Sequence, residues 1–585
     1  MRRKPLFAAL CMLLCMLLCI PAQAEIGLSR IEDDGMLRVY LKSLSEPENL
    51  TLTLKGSYTI ENDSGFRFDD GTKLVLSAAK DTIYLCIGGL TLDMGPALTL
   101  TRQASDSPEK GVYIAEAEKP NLYEGDLSVS IAENGGLFPE LDIHIEDYLK
   151  GVVGYEMSDS WPVEALKAQA VAARTYAMQR KFSAGDRGYD VVDTAGDQVY
   201  KGLDPSLLNV LQAVEETRGV VGIWRNGFAS CYYTASNGGE IAAPADIWGG
   251  DGDYSYIERK EDPYDLENPS SLVRTTAIQS DGSGNDALRK MLDAGLLEAA
   301  QEQGLPADGL RLEQIISVEA ISPVVEGSKM YGTLRFTIGT SILEGFWQPV
   351  EGDIGFLRSA TDSEPANMAL YGMDFLRRLL AEAPFEKIIQ RKMLDTPLVV
   401  DIDVYEQIKH GLNIGMNSSD CELVSVRRDN EKGFVIELRR YGHGVGMSQR
   451  GAQTMAGDYA KTWLEILGFY YPGMLLERID WNSPELQPIE KLPDSVGRAR
   501  PEPTPQPTPA PLPKLEEGET YAVVALDSSN YLNMRAEAGT HSPVLTQLAN
   551  GRRIIVCGEA DHDGWVPVKT AEYSGFVKIE YLKAE

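Results

Sequence analysis

Histidine, cysteine and positive charge are all scarce in this sequence. Its 585 residues include five histidines, none close in sequence to another, which excludes a multi-histidine metal site of local spacing. Lysine and arginine number 55 against 87 aspartates and glutamates, giving a formal charge of -32. This imbalance argues against a protein that binds nucleic acid or anionic lipid through its net field. Apolar residues at 43% and charged residues at 24% are an ordinary globular composition, so a sizeable core is expected.

Only the N-terminus carries a long apolar run, and its layout is that of a secretory signal. Arg2-Arg3-Lys4 precede a run from Leu6 to Ile20, and Ala22-Gln23-Ala24 offers a small-residue cleavage site. The alternative is an uncleaved anchor, but the run of about 15 residues is shorter than the ~20 that span a bilayer. We expect a signal peptide over residues 1–24 and a secreted or cell-envelope-associated protein.

The expected mature chain keeps four cysteines without motif spacing: Cys86, Cys231, Cys421 and Cys557. An exported chain this poor in cysteine is not a disulfide scaffold.

The pattern of the remaining chain predicts an α+β protein in several parts. Period-2 runs separated by glycine, aspartate and asparagine turns predict a β-rich part over residues 25–125. A domain of mixed strands and helices follows over residues 126–480. Residues 265–400 interrupt it as an inserted or covering subdomain, with helices expected over 286–303 and 367–383.

One helix stands out, from about Pro162 to Lys181. It starts with proline, has no later proline or glycine, and is rich in alanine on more than one face. Such a helix is largely buried. Arg174 within it therefore needs an internal partner and is expected to give structural support.

The C-terminal part is separated by a linker over residues 481–517. Every second residue from Pro501 to Pro513 is proline, which favours a stiff, extended tether. Short strands with turn signals over residues 518–585 predict a small β-barrel.

Glu156 is the first candidate for chemistry. It follows a strand-like stretch, precedes the long helix, and is flanked by Tyr155, Met157 and Trp161. Desolvation by these neighbours would raise the pKa of its carboxyl and suit it to general acid catalysis. The alternative is an exposed loop glutamate or one that interacts with the helix dipole.

Two further candidates have structural alternatives of their own. Cys231 could be a nucleophile with His443 as its base, or an inert buried thiol. The turn Ser236-Asn237-Gly238-Gly239 suits sugar binding or simply reverses the chain. His443 stands between glycines, where a ring could line a ligand groove.

Taken together, these segments resemble the SpoIID/LytB family, which comprises stage II sporulation protein D and amidase enhancers. The resemblance covers roughly residues 30–475, with 266–400 matching poorly. Its motifs follow in order: Gly151–Met157, Trp161–Tyr176, Asp197–Gly202, Tyr233–Gly239, Trp248–Gly250, Gly442–Gln449 and Tyr470–Gly473. The tail resembles a bacterial SH3-like domain through Leu532–Arg535, Gly564–Val566 and Gly575–Val577.

The resemblance implies a lytic transglycosylase that acts on peptidoglycan glycan strands during sporulation or cell-wall remodelling. It places the catalytic acid on Glu156 and implies no cofactor. Substrate contacts are expected from Tyr200, Tyr233, Ser236, Asn237, Gly238, Gly239, His443, Ser448 and Gln449. Some family members hold a structural zinc through histidine and cysteine near the Ser-Asn-Gly-Gly turn. Since no histidine lies near Cys231, we predict no metal here.

The resemblance also leaves a non-catalytic alternative, a wall-binding enhancer of an N-acetylmuramoyl-L-alanine amidase. The expected partners are therefore glycan strands and either a cell-wall amidase or a sporulation membrane partner, and not nucleic acid.

Overall fold

The computed structural model divides the chain into two compact units, Met1–Arg500 and Pro501–Glu585. It describes residues 33–61, 63–250, 252–306, 309–349, 385–416, 420–481, 483–488, 491–493, 495–498, 500, 513–516, 518–526, 531–540, 542, 544–571 and 573–584. The expected signal peptide, most of the proline run and the helix expected over 367–383 lie outside these ranges. Across the described part of the chain, no helix combines the length and apolar character that a bilayer crossing requires.

The first unit contains eight α-helices among its described residues. They are α1 (Ile145–Glu156), α2 (Val163–Ser183), α3 (Leu208–Glu216), α4 (Pro244–Trp248), α5 (Pro263–Glu267), α6 (Asp286–Glu302), α7 (Gln449–Tyr459) and α8 (Trp463–Tyr470). A 3₁₀ turn spans Lys42–Leu44, and a π-helical turn spans Val404–His410. The long alanine-rich helix is confirmed as α2, with Pro162 at its N-cap position.

Two sheets form the N-terminal part, as the alternating runs predict. A seven-stranded sheet has the order Val191–Val192, Met36–Tyr40, Leu137–His144, Asp126–Ile131, Ala97–Gln103, Ser57–Ile60 and Asp63–Phe68. A five-stranded sheet has the order Leu90–Asp93, Thr82–Ile87, Lys73–Ala79, Asn49–Lys55 and Gly111–Ile114. The alternating leucines of Asn49–Lys55 are fully buried, in the same core as the alanines of α2.

Short strand pairs beside α1 and α2 bring distant motifs together. Tyr233–Thr234 pairs in parallel with Met447–Ser448, and Glu240–Ile241 pairs with Lys260–Glu261. A four-stranded sheet has the order Gly227–Phe228, Val220–Trp224, Leu475–Asp480 and Ser483–Pro488. The pairing at Tyr233 places the glycine-rich 442–449 segment next to the 233–239 motif, although more than 200 residues separate them in sequence.

The inserted subdomain is present, with bounds that differ from the expected 265–400. Its own core includes α6 and two sheets. One sheet is Val273–Ile278, Gly433–Arg439 and Leu423–Asp429. The other contains Arg311–Pro323, Tyr331–Pro349, Phe385–Met393 and Leu398–Asp403. The insertion therefore runs from about 273 to 439, because α5 contacts α7 and its Tyr264 packs in the main core.

Two other expectations are wrong. Residues 145–156 form helix α1, so Glu156 ends a helix where a loop after a strand was expected. The linker also starts later than residue 481, because Ser483–Pro488 is a strand and Leu492 is buried in the main core.

The second unit, described by itself, is one antiparallel sheet with a small apolar core. Its strand order is Val544–Ala549, Tyr531–Arg535, Ser574–Lys578, Trp565–Lys569, Arg553–Val556, Thr520–Val524 and Leu582–Ala584. A 3₁₀ turn spans Ile579–Tyr581. Each of the six tail strands expected from the sequence is present. Among the described residues, no pairing joins the two outermost strands, so a closed barrel is not found.

Candidate functional site

Glu156 is the last residue of α1, and its carboxyl group is only partly accessible to solvent. Burial raises its pKa, against two hydrogen bonds that favour the charged form. One comes from the Gln449 side chain, whose Nε2 lies 2.9 Å from Oε2, and the other from the backbone N–H of Val199. The expected rise in pKa is therefore present. Of the three flanking residues expected to desolvate it, Tyr155 is exposed, whereas Met157 is buried and Trp161 packs against the core.

A buried ion pair connects α1 to α2. The Arg174 guanidinium donates to both carboxylate oxygens of Glu146, at 3.0 and 2.7 Å, and to the carbonyl oxygens of Val214 and Val220. Burial alone would raise the pKa of Glu146, but this guanidinium holds it below its usual range. The prediction that Arg174 has internal partners is confirmed, and the pair fixes the helix that carries Glu156.

Near Glu156 lies a cavity of about 320 Å³ with aromatic walls. Its lining comprises Tyr176, Ala195, Gly196, Asp197, Gln198, Tyr232, Tyr233, Trp248 and His443. The Trp248 ring is half exposed, and its centroid lies 4.9 Å from those of both Tyr232 and His443. Exposed aromatic faces with polar groups between them suit the apolar face and the hydroxyls of a sugar ring.

Tyr233 and Gln198 connect this cavity to Glu156. Gln198 donates to the Tyr233 hydroxyl at 3.0 Å and to the Ala173 carbonyl of α2. The pKa of Tyr233 is raised well above its usual range, first by burial and then by the charge of Glu156. Glu156 itself does not line the cavity, but Tyr233 does, and the Tyr233 phenol lies close enough to Glu156 for the two groups to interact electrostatically.

His443 lines the cavity, as expected. It is partly buried, and burial together with the nearby Arg440 charge lowers its pKa to about 4. Its Nδ1 accepts a hydrogen bond from the backbone N–H of Val445 at 3.0 Å. The ring is therefore neutral near neutral pH, with its proton on Nε2 as a donor.

Asp197 is the carboxylate that lines the cavity wall. It forms an ion pair with Arg180 at 2.7 Å and accepts hydrogen bonds from the Tyr176 hydroxyl and the Val192 backbone. These contacts tie Asp197 to α2 and to the strand Val191–Val192, whereas the pKa of Glu156 is raised by burial, as suits a proton donor.

Several residues expected to contact substrate are buried, which corrects that assignment. Tyr200 is 1% exposed and stacks on Tyr148. The turn Ser236-Asn237-Gly238-Gly239 and Ser448 are likewise interior, and their side chains bond to buried carboxylates. Positive φ angles of 71° and 96° at Gly238 and Gly239 explain the two glycines. Of the expected contacts, Tyr233 and His443 line the cavity, and Gln449 reaches Glu156.

Asp262 and Asp265, which receive these bonds, were missed by the sequence reasoning. Both are fully buried, and burial raises the pKa of Asp262 to about 6 and that of Asp265 above its usual value. Aspartates before a short helix look like ordinary caps, and Asp262 does cap α5 by accepting the N–H groups of Tyr264 and Asp265. Trp248, Tyr176 and Gln198 were also missed, although all three stand within the motifs quoted above.

The nucleophile interpretation of Cys231 does not fit its surroundings. The thiol is fully buried, 3.5 Å from the sulfur of Met474, and burial raises its pKa to about 12. A thiol of this kind is structural. Within the described ranges, no three histidine, cysteine, aspartate or glutamate side chains are grouped to hold a metal ion.

A carboxyl group with a raised pKa beside an aromatic, hydrogen-bonding cavity defines a candidate carbohydrate site with an acid–base residue. Comparison with known proteins identifies the family of the chain. The family model "Stage II sporulation protein" matches residues 138–224, which contain α1, α2 and α3. The stage II sporulation protein D of Bacillus amyloliquefaciens is 31% identical over 379 residues, which cover 62% of this chain and 82% of that protein. The chain belongs to the SpoIID family.

In two other relatives, a smaller part of the relative's length matches this chain. An uncharacterized protein of Brachyspira hyodysenteriae is 30% identical over 218 residues, covering 37% of this chain and 56% of that protein. The amidase enhancer of Bacillus subtilis is 26% identical over 346 residues, covering 56% of this chain and 40% of that protein. The chain thus spans about half the length of these two relatives.

Proposed function

We propose that this protein is an exported lytic transglycosylase that cleaves the glycan strands of peptidoglycan. The observation that carries the proposal is the partly buried Glu156 carboxyl group, with its raised pKa, next to the aromatic cavity. Membership of the SpoIID family supports a role at the cell wall.

The reaction needs one carboxyl group used twice. Neutral Glu156 donates its proton to the glycosidic oxygen as the bond from that oxygen to muramyl C1 breaks. The resulting carboxylate then accepts the proton of the muramyl 6-hydroxyl, whose oxygen bonds to C1 and closes a 1,6-anhydro ring. The acid is regenerated and no water is consumed, so the second carboxylate of a hydrolase is not required.

The cavity supplies binding and orientation for this step. We assign the half-exposed Trp248 ring as a platform for a sugar face, with the neutral His443 ring beside it as part of the same subsite. Tyr233 lines this subsite and also interacts electrostatically with the Glu156 carboxyl group.

The test is cleavage of glycan strands stripped of stem peptides. Glu156→Gln keeps the shape of the side chain but removes its titrating proton, so cleavage should fall at least ~100-fold. Glu140→Gln is the matched control, because burial also raises the pKa of Glu140, to about 7, on a strand outside the cavity lining. Turnover of Glu156→Gln near that of the control would remove Glu156 from the mechanism.

A second candidate function is favoured by the similarity to the amidase enhancer. In this interpretation the cavity binds the wall without cutting it, and the protein raises the rate of a separate amidase. Wild type and Glu156→Gln would then stimulate an added amidase equally, and neither would shorten glycan strands alone.

The same proposal assigns a role to each end of the chain. Residues 1–24 would direct export, and the second unit, whose motifs resemble a bacterial SH3-like domain, would bind wall material.

A further inference from the structure

Gln449 holds the carboxyl group of Glu156, and its own position is fixed by the residue before it. Gln449 is the first residue of α7 and is 5% exposed. Ser448 caps this helix, since its Oγ accepts the N–H of Gly451 at 3.0 Å. The Ser448 hydroxyl in turn donates to Oδ1 of Asp265 at 2.7 Å. An unbroken set of contacts thus runs from Asp265 through Ser448 and Gln449 to Glu156.

Asp265 binds both of the chain segments that meet at the site. Its second oxygen, Oδ2, accepts from the Ser236 hydroxyl at 2.9 Å, and it also accepts backbone N–H groups of the 237–238 turn. Ser236 follows the strand Tyr233–Thr234, and Ser448 ends the strand that pairs with it. One buried carboxylate therefore fixes the register between the segment with the cavity's Tyr233 and the segment with Gln449.

We propose that Asp265 and Gln449 are positioning residues for Glu156: Asp265 anchors Ser448 at the start of α7, and the amide of Gln449 holds the Glu156 carboxyl group. This assignment rests on the proposed function for its catalytic meaning, while its geometry stands without it. It replaces the expectation that Gln449 binds substrate and gives the buried Asp265 a role.

The physical effect is on the balance between the neutral and charged forms of Glu156. Burial favours the neutral acid, while the Gln449 N–H bonds to Oε2 and favours the carboxylate. The titratable groups facing Glu156 are the phenols of Tyr148 and Tyr233, which burial keeps uncharged. With no cation among these groups, the Gln449 amide and the Val199 N–H oppose the desolvation, and loss of the amide must raise the titration midpoint.

The test is carbon-13 NMR titration of the Glu156 carboxyl group in the full chain, assigned with Glu156→Gln. We expect Gln449→Leu to move the midpoint upward by about one pH unit, since a hydrogen bond to a charged group is lost. Ser448→Ala, which cuts the link to Asp265, should move it upward by less, and Ser448→Thr should restore it. The control is Gln453→Leu, one turn later in α7, where the amide contacts Asn268 and Arg450 and not Glu156.

The outcomes separate this proposal from the proposed function. If the Glu156 titration midpoint is higher than in the wild type for Gln449→Leu but not for Gln453→Leu, the positioning role is supported, even if no variant cleaves glycan. Equal midpoints in wild type and Gln449→Leu overturn it, whatever the activity. If the protein does cleave, the pH optimum of Gln449→Leu should move in the same direction as the NMR midpoint.

Discussion

Arg174 and Glu146 form the pair on which the placement of Glu156 most depends. Both side chains are 0–1% exposed. The guanidinium donates four hydrogen bonds, two to Glu146 and one to each of two backbone carbonyl oxygens. Arg174→Met would leave the Glu146 carboxylate buried without its cation. We expect the free energy of unfolding, measured with urea, to fall by about 3–5 kcal/mol.

The matched control for this prediction is Arg335→Met. Arg335 makes an equally short pair with Asp401, at 2.7 Å, but both side chains are more than 40% exposed. Because solvent screens this exposed pair, its loss should lower the free energy of unfolding far less than the loss of Arg174 does. Similar losses in the two variants would show that burial does not strengthen the Arg174 pair.

The imidazole of His443 predicts a pH dependence of stability. Its pKa is about 4 in the folded protein and near 6.5 when unfolded, so the unfolded state binds a proton more readily. The associated stability is present above about pH 6.5 and is lost as the pH falls toward 4. Between about pH 7 and 5, wild type should lose about 1–2 kcal/mol more than His443→Asn in urea unfolding. If the free energy of unfolding changed with pH in the same way for the two proteins, the claim that folding keeps the His443 ring neutral would be contradicted.

Residue identities and the family resemblance together predicted part of the site. Apolar neighbours made Glu156 a candidate and flanking glycines made His443 one, and the resemblance placed the catalytic acid on Glu156. Asp265 was not predicted, since its role depends on a hydroxyl 183 residues away in sequence, and its position is that of any acidic residue in the first turn of a helix. Tyr200 and Ser236 lie in the right motifs but were given exposed roles, because a motif does not show which way a side chain points.

At the scale of elements, α1 is the longest of the described helices that the sequence pattern missed. Its sequence contains Gly151, Gly154 and the β-branched pair Val152-Val153, all unfavourable in isolated helices. Tertiary packing overrides this preference, as Tyr200 lies where a side chain at Gly151 would stand. The strands were easier to predict, because burial of one face of a strand makes apolar and polar residues alternate along the sequence.

The packing of α1 gives a test with a control of the same chemistry. A Cβ at Gly151 would lie 2.5 Å from the Tyr200 ring and 2.9 Å from the Gly202 carbonyl oxygen. Gly151→Ala should therefore destabilise the protein by about 1–3 kcal/mol despite alanine's better helix propensity. Gly457→Ala in α7 meets only Pro162, at 3.4 Å, and should stabilise by about 0.5–1 kcal/mol. Thermal melting of the two variants tests both predictions. A higher melting temperature in Gly151→Ala would contradict the close packing of α1 against Tyr200.

At the scale of the whole molecule, we expect the first unit to keep its activity without the second. The boundary falls after Arg500, where the proline run begins, and Arg498 and Arg500 still pair with Glu267 of α5. A chain ending at Arg500 should keep its melting temperature and cleave soluble glycan strands, but sediment less with cell walls. A matched chain ending at Asp480 should lose stability, since it lacks the strand Ser483–Pro488 and Leu492. Loss of chemistry on removing residues 501–585 would assign the second unit to the active site.

The central claim is that Glu156 drives an intramolecular attack by the muramyl 6-hydroxyl and not hydrolysis. Its most direct test is mass spectrometry of the products from denuded glycan strands in water labelled with oxygen-18. The account predicts 1,6-anhydromuramyl ends without oxygen-18 from the wild type, and intact strands from Glu156→Gln. Reducing ends that carry oxygen-18, or no cleavage by the wild type at all, would contradict it.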